Sequence, residues 1–187
     1  PAYPEIFKPG YKGIRTEETL PAAITLTTSK SVYKQLIVLI CSNEIILASA
    51  VKKIVIIGPE STGKSTLCEQ LAQHYDTLWC PEFAREYLLT NGMDYRYEDL
   101  LMIAKGQLAL EDEYTDMVNS EWSMVKKKTP ENSPFTIHHS LFFIDTDMYV
   151  MKVWCEFVFD KCHRFILEQI VKRKYDLYLL CNTDLPW

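Results

Sequence analysis

Two glycines with four residues between them, then a lysine and a hydroxyl, stand at Gly58-Pro59-Glu60-Ser61-Thr62-Gly63-Lys64-Ser65. A β-branched run, Ile54 to Ile57, leads into the first glycine, and a helical apolar stripe follows the second. Strand, glycine loop and helix in this order form a phosphate-cradling P-loop pattern. The glycines permit a turn that would strain residues carrying Cβ, so the following amides can point inward at phosphate oxygens. Lys64 supplies a point charge for the outer phosphates, and Ser65 offers a hydroxyl to Mg²⁺. The helix that opens here adds its positive end. Gly58, Glu60, Ser61, Thr62, Gly63, Lys64, Ser65 and Thr66 are therefore assigned to a nucleoside triphosphate.

Such a loop needs carboxylates nearby. Asp145 follows four apolar strand residues, Leu141 to Ile144, where a P-loop protein holds an acid near Mg²⁺. A carboxylate at a strand end can also cap the next helix, and Asp147 suits either that role or a substrate hydroxyl. Glu82 closes a short strand, where a small-molecule kinase needs a group to orient or deprotonate the attacking hydroxyl. Arg85 lies one helical turn on, able to bridge phosphate or fix Glu82. The plainer alternative for these two is a surface ion pair of little energetic value. Trp79, Phe83, Tyr87, Tyr149 and Trp154 cluster near the same strand ends; most should be core, and one or two could stack on a planar, cationic ring. His138, His139 and His163 lack partners at metal-ligand spacing.

The positioning elements read as alternating strands and helices from Lys52 onward. Thr77 to Cys80 is a short strand, and Phe83 to Leu89 is helical until Asn91-Gly92. Asp94 to Val118 is a long helix, in which Gly106-Gln107 marks close packing. Ser120 to His139 is polar and proline-bearing, and reads as an exposed loop or insertion. Asp160 to Lys174 is amphipathic, and Tyr175 to Cys181 is a further strand. The expected fold is α/β, a P-loop kinase-like parallel sheet with helices on both faces, incomplete at the C-terminus. Ligands of such sheets sit beyond the carboxyl ends of the strands, which adds Asn182 to Asp184 to the candidates. Residues 1 to about 30 read as an irregular arm, and Ser31 to Ala50 as either a strand pair or a helix. Residues 1–51 are thus expected to flank a kinase domain at 52–187.

The 187 residues suffice for one domain with a core. A net charge of −5 argues against a general nucleic-acid binder, and Lys126-Lys127-Lys128 is only a short basic run. Leu36 to Ala50 is too short and too polar to span a bilayer. The six cysteines form no C-x-x-C pair, which points to a reducing, cytoplasmic setting.

GPESTGKSTL (Gly58 to Leu67), PEFAREYL (Pro81 to Leu88), FIDTDMYVMKVW (Phe143 to Trp154) and YDLYLLCNTDLPW (Tyr175 to Trp187) together resemble the ribosylnicotinamide kinase domain of NadR-type proteins. The similarity covers residues 52–187 except about 119–140. It implies transfer of the γ-phosphoryl of ATP, with Mg²⁺, to the 5′-hydroxyl of nicotinamide riboside. Lys64 and Ser65 would serve phosphate and metal, Asp145 the metal side, and Glu82, Arg85 and Asp147 the riboside. Family members often carry an adenylyltransferase domain with an H-x-G-H motif ahead of the kinase; residues 1–51 lack that motif. The family also continues past the Pro-Trp pair into a lid bearing aspartate and arginine, so a chain stopping at Trp187 is expected to turn over slowly. Another nucleoside or sugar kinase, or an ATP-binding switch without transfer, would use the same loop.

Overall fold

A computed structural model describes residues 23–26, 50–128 and 140–182. Its elements in chain order are β1 (Ala23–Leu26), β2 (Lys52–Ile57), α1 (Lys64–Tyr75), β3 (Trp79–Cys80) and α2 (Phe83–Asn91). They continue as α3 (Tyr97–Lys128), β4 (Leu141–Asp145), α4 (Met148–Phe159), α5 (Arg164–Lys172) and β5 (Leu177–Cys181). The strands form one sheet in the order β1-β5-β2-β4-β3, and every pairing is parallel.

Alternation along β2 and β4 explains why both faces must be covered. Ile54 and Ile56, with Leu141 and Phe143, pack under Leu67, Cys68, Leu71 and Tyr75 of α1. Val55, Phe142 and Ile144 point the other way, toward Val118 of α3. All seven strand residues are fully buried, as continuous apolar strands of a parallel sheet require. A separate helical core joins α2, α3, α4 and α5 through Leu88, Leu100, Ile103, Met151, Cys155 and Ile166. Tyr87, Phe83 and Trp154 pack against it, and Trp79 packs against the α1 side, so these aromatics are mainly core.

Two expectations change. The N-terminal region is not wholly an irregular arm: Ala23–Leu26 runs beside β5 in register with Tyr178 to Cys181, so the sheet takes its edge from before residue 51. The polar stretch after Val118 continues as helix through Lys128. The Ser120 and Ser123 hydroxyls donate to the carbonyls four residues back, at 2.8 and 2.7 Å, and Lys126 lies 4.8 Å from the Trp122 ring centroid. Three lysines in the last turn face the negative end of the helix dipole. The expectations for 27–49, for the rest of the insertion at 129–139 (with His138 and His139), and for 183–187 lie outside the described residues.

Order and connection place the site. From β2 the chain moves to one side, to β3 and β4, then crosses to β5 on the other side of β2. The crevice at such a reversal opens at the carboxyl end of the central strand, where Gly58 begins.

Candidate functional site

Close approach and unusual backbone shape the loop after β2. Gly58 has φ 149°, and a Cβ there would lie 2.6 Å from the Cys181 carbonyl at the end of β5. Only glycine fits that contact. Ser61 and Gly63 take positive φ, 57° and 79°, turning the chain back on itself. The loop then closes around the Pro59 carbonyl, which accepts from Thr62 Oγ1 at 2.7 Å and from Lys64 Nζ at 2.8 Å. Thr62 is buried, so its hydroxyl serves the loop itself, whereas Ser61 and Thr66 are exposed. Gly63 precedes α1 without any side-chain cap, and the first turn holds no acid. The leading amides of α1 thus have neither a side-chain acceptor nor a local carboxylate, the arrangement that suits an incoming anion.

The parallel register sets Ile56 beside Asp145, carrying that carboxylate to the mouth of the loop. Ser65 Oγ donates to Asp145 Oδ2 at 2.6 Å, and Arg85 Nη2 donates to Ser65 Oγ at 3.3 Å. Three elements, α1, β4 and α2, therefore converge on one hydroxyl, and the Ser65 and Asp145 oxygens are hard donors of the kind Mg²⁺ takes. Among the described residues no cluster of three or more His, Cys, Asp or Glu forms a metal cage. A cation held here would complete its shell from phosphate and water, as Mg²⁺ commonly does.

Sequence reasoning passed over Thr146. It sits at φ 73°, an uncommon conformation for a β-branched residue, costing on the order of 1–2 kcal/mol. Its amide donates to Ile56 O at 3.1 Å, and its hydroxyl donates to Asp145 Oδ1 at 3.3 Å. The kink lets two aspartates, one residue apart, serve different ends. The Asp-Thr-Asp run at a strand end was the available signal.

Asp147 caps the helix that follows it. Its Oδ1 accepts from the amides of Tyr149 (3.0 Å) and Val150 (3.4 Å), capping α4, and its Oδ2 accepts from Tyr178 Oη at 2.9 Å. The residue is only 2% exposed, so both oxygens are engaged inside the protein. Burial pushes its carboxyl up from the usual 3.8 to about 6, against the pull of those three donors, and the field of Glu111 adds to the rise. A carboxyl raised on folding favours the protonated native state, so its contribution to stability is full below pH 3.8 and is lost as pH rises through about 6. Asp147→Asn should remove that pH slope while keeping the cap. Asp147→Ala should cost about 2–4 kcal/mol, combining a lost cap with a stranded tyrosine hydroxyl. Urea unfolding of both variants and the parent at pH 4.5 and 7.5 checks this; an unchanged slope in Asp147→Asn would refute it.

Glu82 stands at the head of α2 and makes no side-chain cap. It is half-buried rather than a surface residue, unlike the exposed Arg85. Burial raises its carboxyl, the nearby Asp145 raises it further, and Lys64 and Arg85 draw it back. Asp145 is raised by burial and pulled down by Ser65 and Lys64; Glu60 is raised by burial and pulled down by Lys64 and Arg85. Three perturbed carboxyls and two cations thus share one field, as functional sites often do. Asn182 directly follows β5 and is exposed. His163 is structural: its Nε2 lies 2.8 Å from Tyr97 O, and its ring stacks on Tyr97 at 3.7 Å. No described helix is long and apolar enough to cross a membrane.

Known proteins are similar to this chain in sequence and in fold. The chain is 28% identical over 141 residues to the trifunctional NAD biosynthesis/regulator protein NadR of Salmonella typhimurium, and equally to that of Escherichia coli. Each match covers 73% of the chain and spans 30% of the length of the relative. Among solved structures, NadR in complex with NR superposes with a TM-score of 0.54 at 24% identity, over 70% of this chain and 33% of the other. NadR in complex with NAD and AMP-PNP gives 0.52 at 22%, over 70% and 34%. These likenesses carry the fold, an α/β parallel sheet with helices on both faces. The family described as AAA domain matches residues 53–187, from the strand before the phosphate loop to the last residue, and the chain belongs to that family.

Proposed function

We propose that the chain is an ATP-dependent small-molecule kinase whose acceptor is nicotinamide riboside, with residues 52–187 carrying the activity. The observation that supports it best is the 2.6 Å contact between Ser65 and Asp145, with Glu82 in the same field and no cap to make. The resemblance to NadR proteins, one of them solved with NR, supports the choice of acceptor.

The loop amides and Lys64 would grip the β- and γ-phosphates of ATP. Ser65 Oγ and Asp145 Oδ2 are the protein atoms that would hold Mg²⁺, which supplies charge neutralisation on the phosphates when bound. Arg85 reaches Ser65 and can extend to a γ-phosphate oxygen. Glu82 would accept the proton of the 5′-hydroxyl as its oxygen bonds to the γ-phosphorus and the bond to ADP breaks. Its raised carboxyl sits nearer working pH than a free glutamate, which suits a base. Asp147 stabilises α4 rather than touching the riboside.

Purified chain incubated with ATP, Mg²⁺ and a panel of nucleosides tests this. ADP and nicotinamide mononucleotide should appear in equal amounts, with nicotinamide riboside preferred. Faster phosphorylation of another nucleoside or a sugar would move the acceptor. ATP hydrolysis without phosphorylated product would instead indicate a nucleotide switch.

A further inference from the structure

Gln107 lies in the first half of α3, 2% exposed, with its side-chain amide turned toward the turn between β3 and α2. Its Oε1 accepts from the Phe83 amide at 2.7 Å. Its Nε2 donates to the Pro81 carbonyl at 3.3 Å and to Cys80 Sγ at 3.6 Å. The two backbone partners belong to the peptides on either side of Glu82. Beside it, Gly106 brings α3 so near that a Cβ would stand 2.1 Å from Phe83 Cε1, which sets the depth of the same turn.

One acceptor and one donor are needed at this place, and a neutral carboxamide is the side chain that offers both. A glutamate would keep the acceptor and lose the donor; a methionine would keep the shape and lose both. The first amide of α2 finds its acceptor in Gln107, and Glu82 makes no side-chain cap to the amides that follow. A residue opening a helix ordinarily spends its side chain on the amides two or three residues on.

We propose that Gln107 is the positioning residue for Glu82: by binding both flanking peptides it fixes where that carboxyl stands. The inference rests on the reading of Glu82 as the group that takes the acceptor's proton. Displacement of a reacting group by about 1 Å costs up to about a hundredfold in rate, so the geometry held by Gln107 matters to turnover.

The test compares Gln107→Met, Gln107→Glu, Glu82→Gln and the double variant Glu82→Gln/Gln107→Met in the full chain. Gln107→Met should lower kcat about ten- to a hundredfold with KM for ATP within about twofold, because the phosphate loop lies on other elements. Gln107→Glu should fall between it and the parent, and decides by the same split if the methionine variant does not fold. The double variant should be no slower than Glu82→Gln. A reading independent of turnover comes from ¹³C-carboxyl titration of Glu82, which faces Asp145 from β4, Lys64 from α1, Arg85 from α2 and Glu60 from the loop. In Gln107→Met the peptides flanking Glu82 lose their anchor and the carboxyl can leave its buried place beside Asp145, so its pKa should drop toward the ordinary glutamate range. Full kcat in Gln107→Met, an unmoved Glu82 titration, or losses that multiply in the double variant would each overturn the positioning role. Full activity in Glu82→Gln would instead overturn the reading of Glu82 itself.

Discussion

Lys64→Ala should lower phosphoryl transfer by at least about a hundredfold and abolish productive ATP binding, the scale seen when one preorganised charge is removed from an anion site. The reason is local charge balance. Glu60, Glu82 and Asp145 each feel Lys64 and Arg85 as the cations that hold their carboxyls down. With Lys64 gone, one cation faces three carboxyls, and a triphosphate would enter a field of its own sign. The structural cost is smaller: the lysine gives up one hydrogen bond to Pro59 O, worth about 1 kcal/mol. Isothermal titration with ATP and Mg²⁺, beside a urea melt, separates the two effects. Wild-type affinity in a variant of near-normal stability would show that Lys64 is a loop strut and not a phosphate ligand. Lys64→Arg is the informative companion. It keeps the charge, but its planar fork cannot sit where a single ammonium meets the Pro59 carbonyl, so it should recover only part of the binding.

What could be read from the chain alone follows how local each feature is. The phosphate loop is eight consecutive residues with a strand before and a helix after, and the observed turn at Gly58 and Gly63 is the one those residue types demand. Asp145 was legible because a parallel sheet carries its functional groups at strand ends, and the Ile56–Asp145 register puts it there. Gly106 was read as close packing, and the Phe83 ring is what it packs against. Gln107 carried no signal of its own, since its partners sit 24 and 26 residues earlier and only the fold brings them together. The strand at Ala23–Leu26 was missed for the same reason: four residues show little alternation, and their partner is the last strand. Polar composition misled at 120–128, where serines bonding back along the helix and a terminal lysine run extend α3. At Asp147 the residues allowed two roles, and Tyr178, thirty-one positions away, decided between them by occupying the second oxygen.

Glu82→Gln should reduce kcat by about 10²–10⁴-fold, the usual worth of a positioned base, while ATP affinity changes little. Size and hydrogen-bonding reach are nearly preserved, so the change isolates the capacity to take a proton. Affinity is expected to hold, or rise slightly, because the substitution removes one of three carboxyls that share the field of Lys64 and Arg85. The pH dependence carries the sign. Burial and Asp145 raise the Glu82 carboxyl, so in the parent kcat should climb with pH as that group ionises, along a limb displaced upward from an ordinary glutamate. The glutamine variant should lose this limb and turn over slowly and evenly across the acid range. A limb that persists in the variant would pass the titration to Asp145, whose carboxyl is also raised by burial but is engaged by Ser65 and Thr146. Equal losses of kcat and ATP affinity would make Glu82 a structural residue of the β3–α2 turn. Unequal losses in the expected direction assign the proton to the carboxyl whose two flanking peptides a neighbouring helix holds through Gln107.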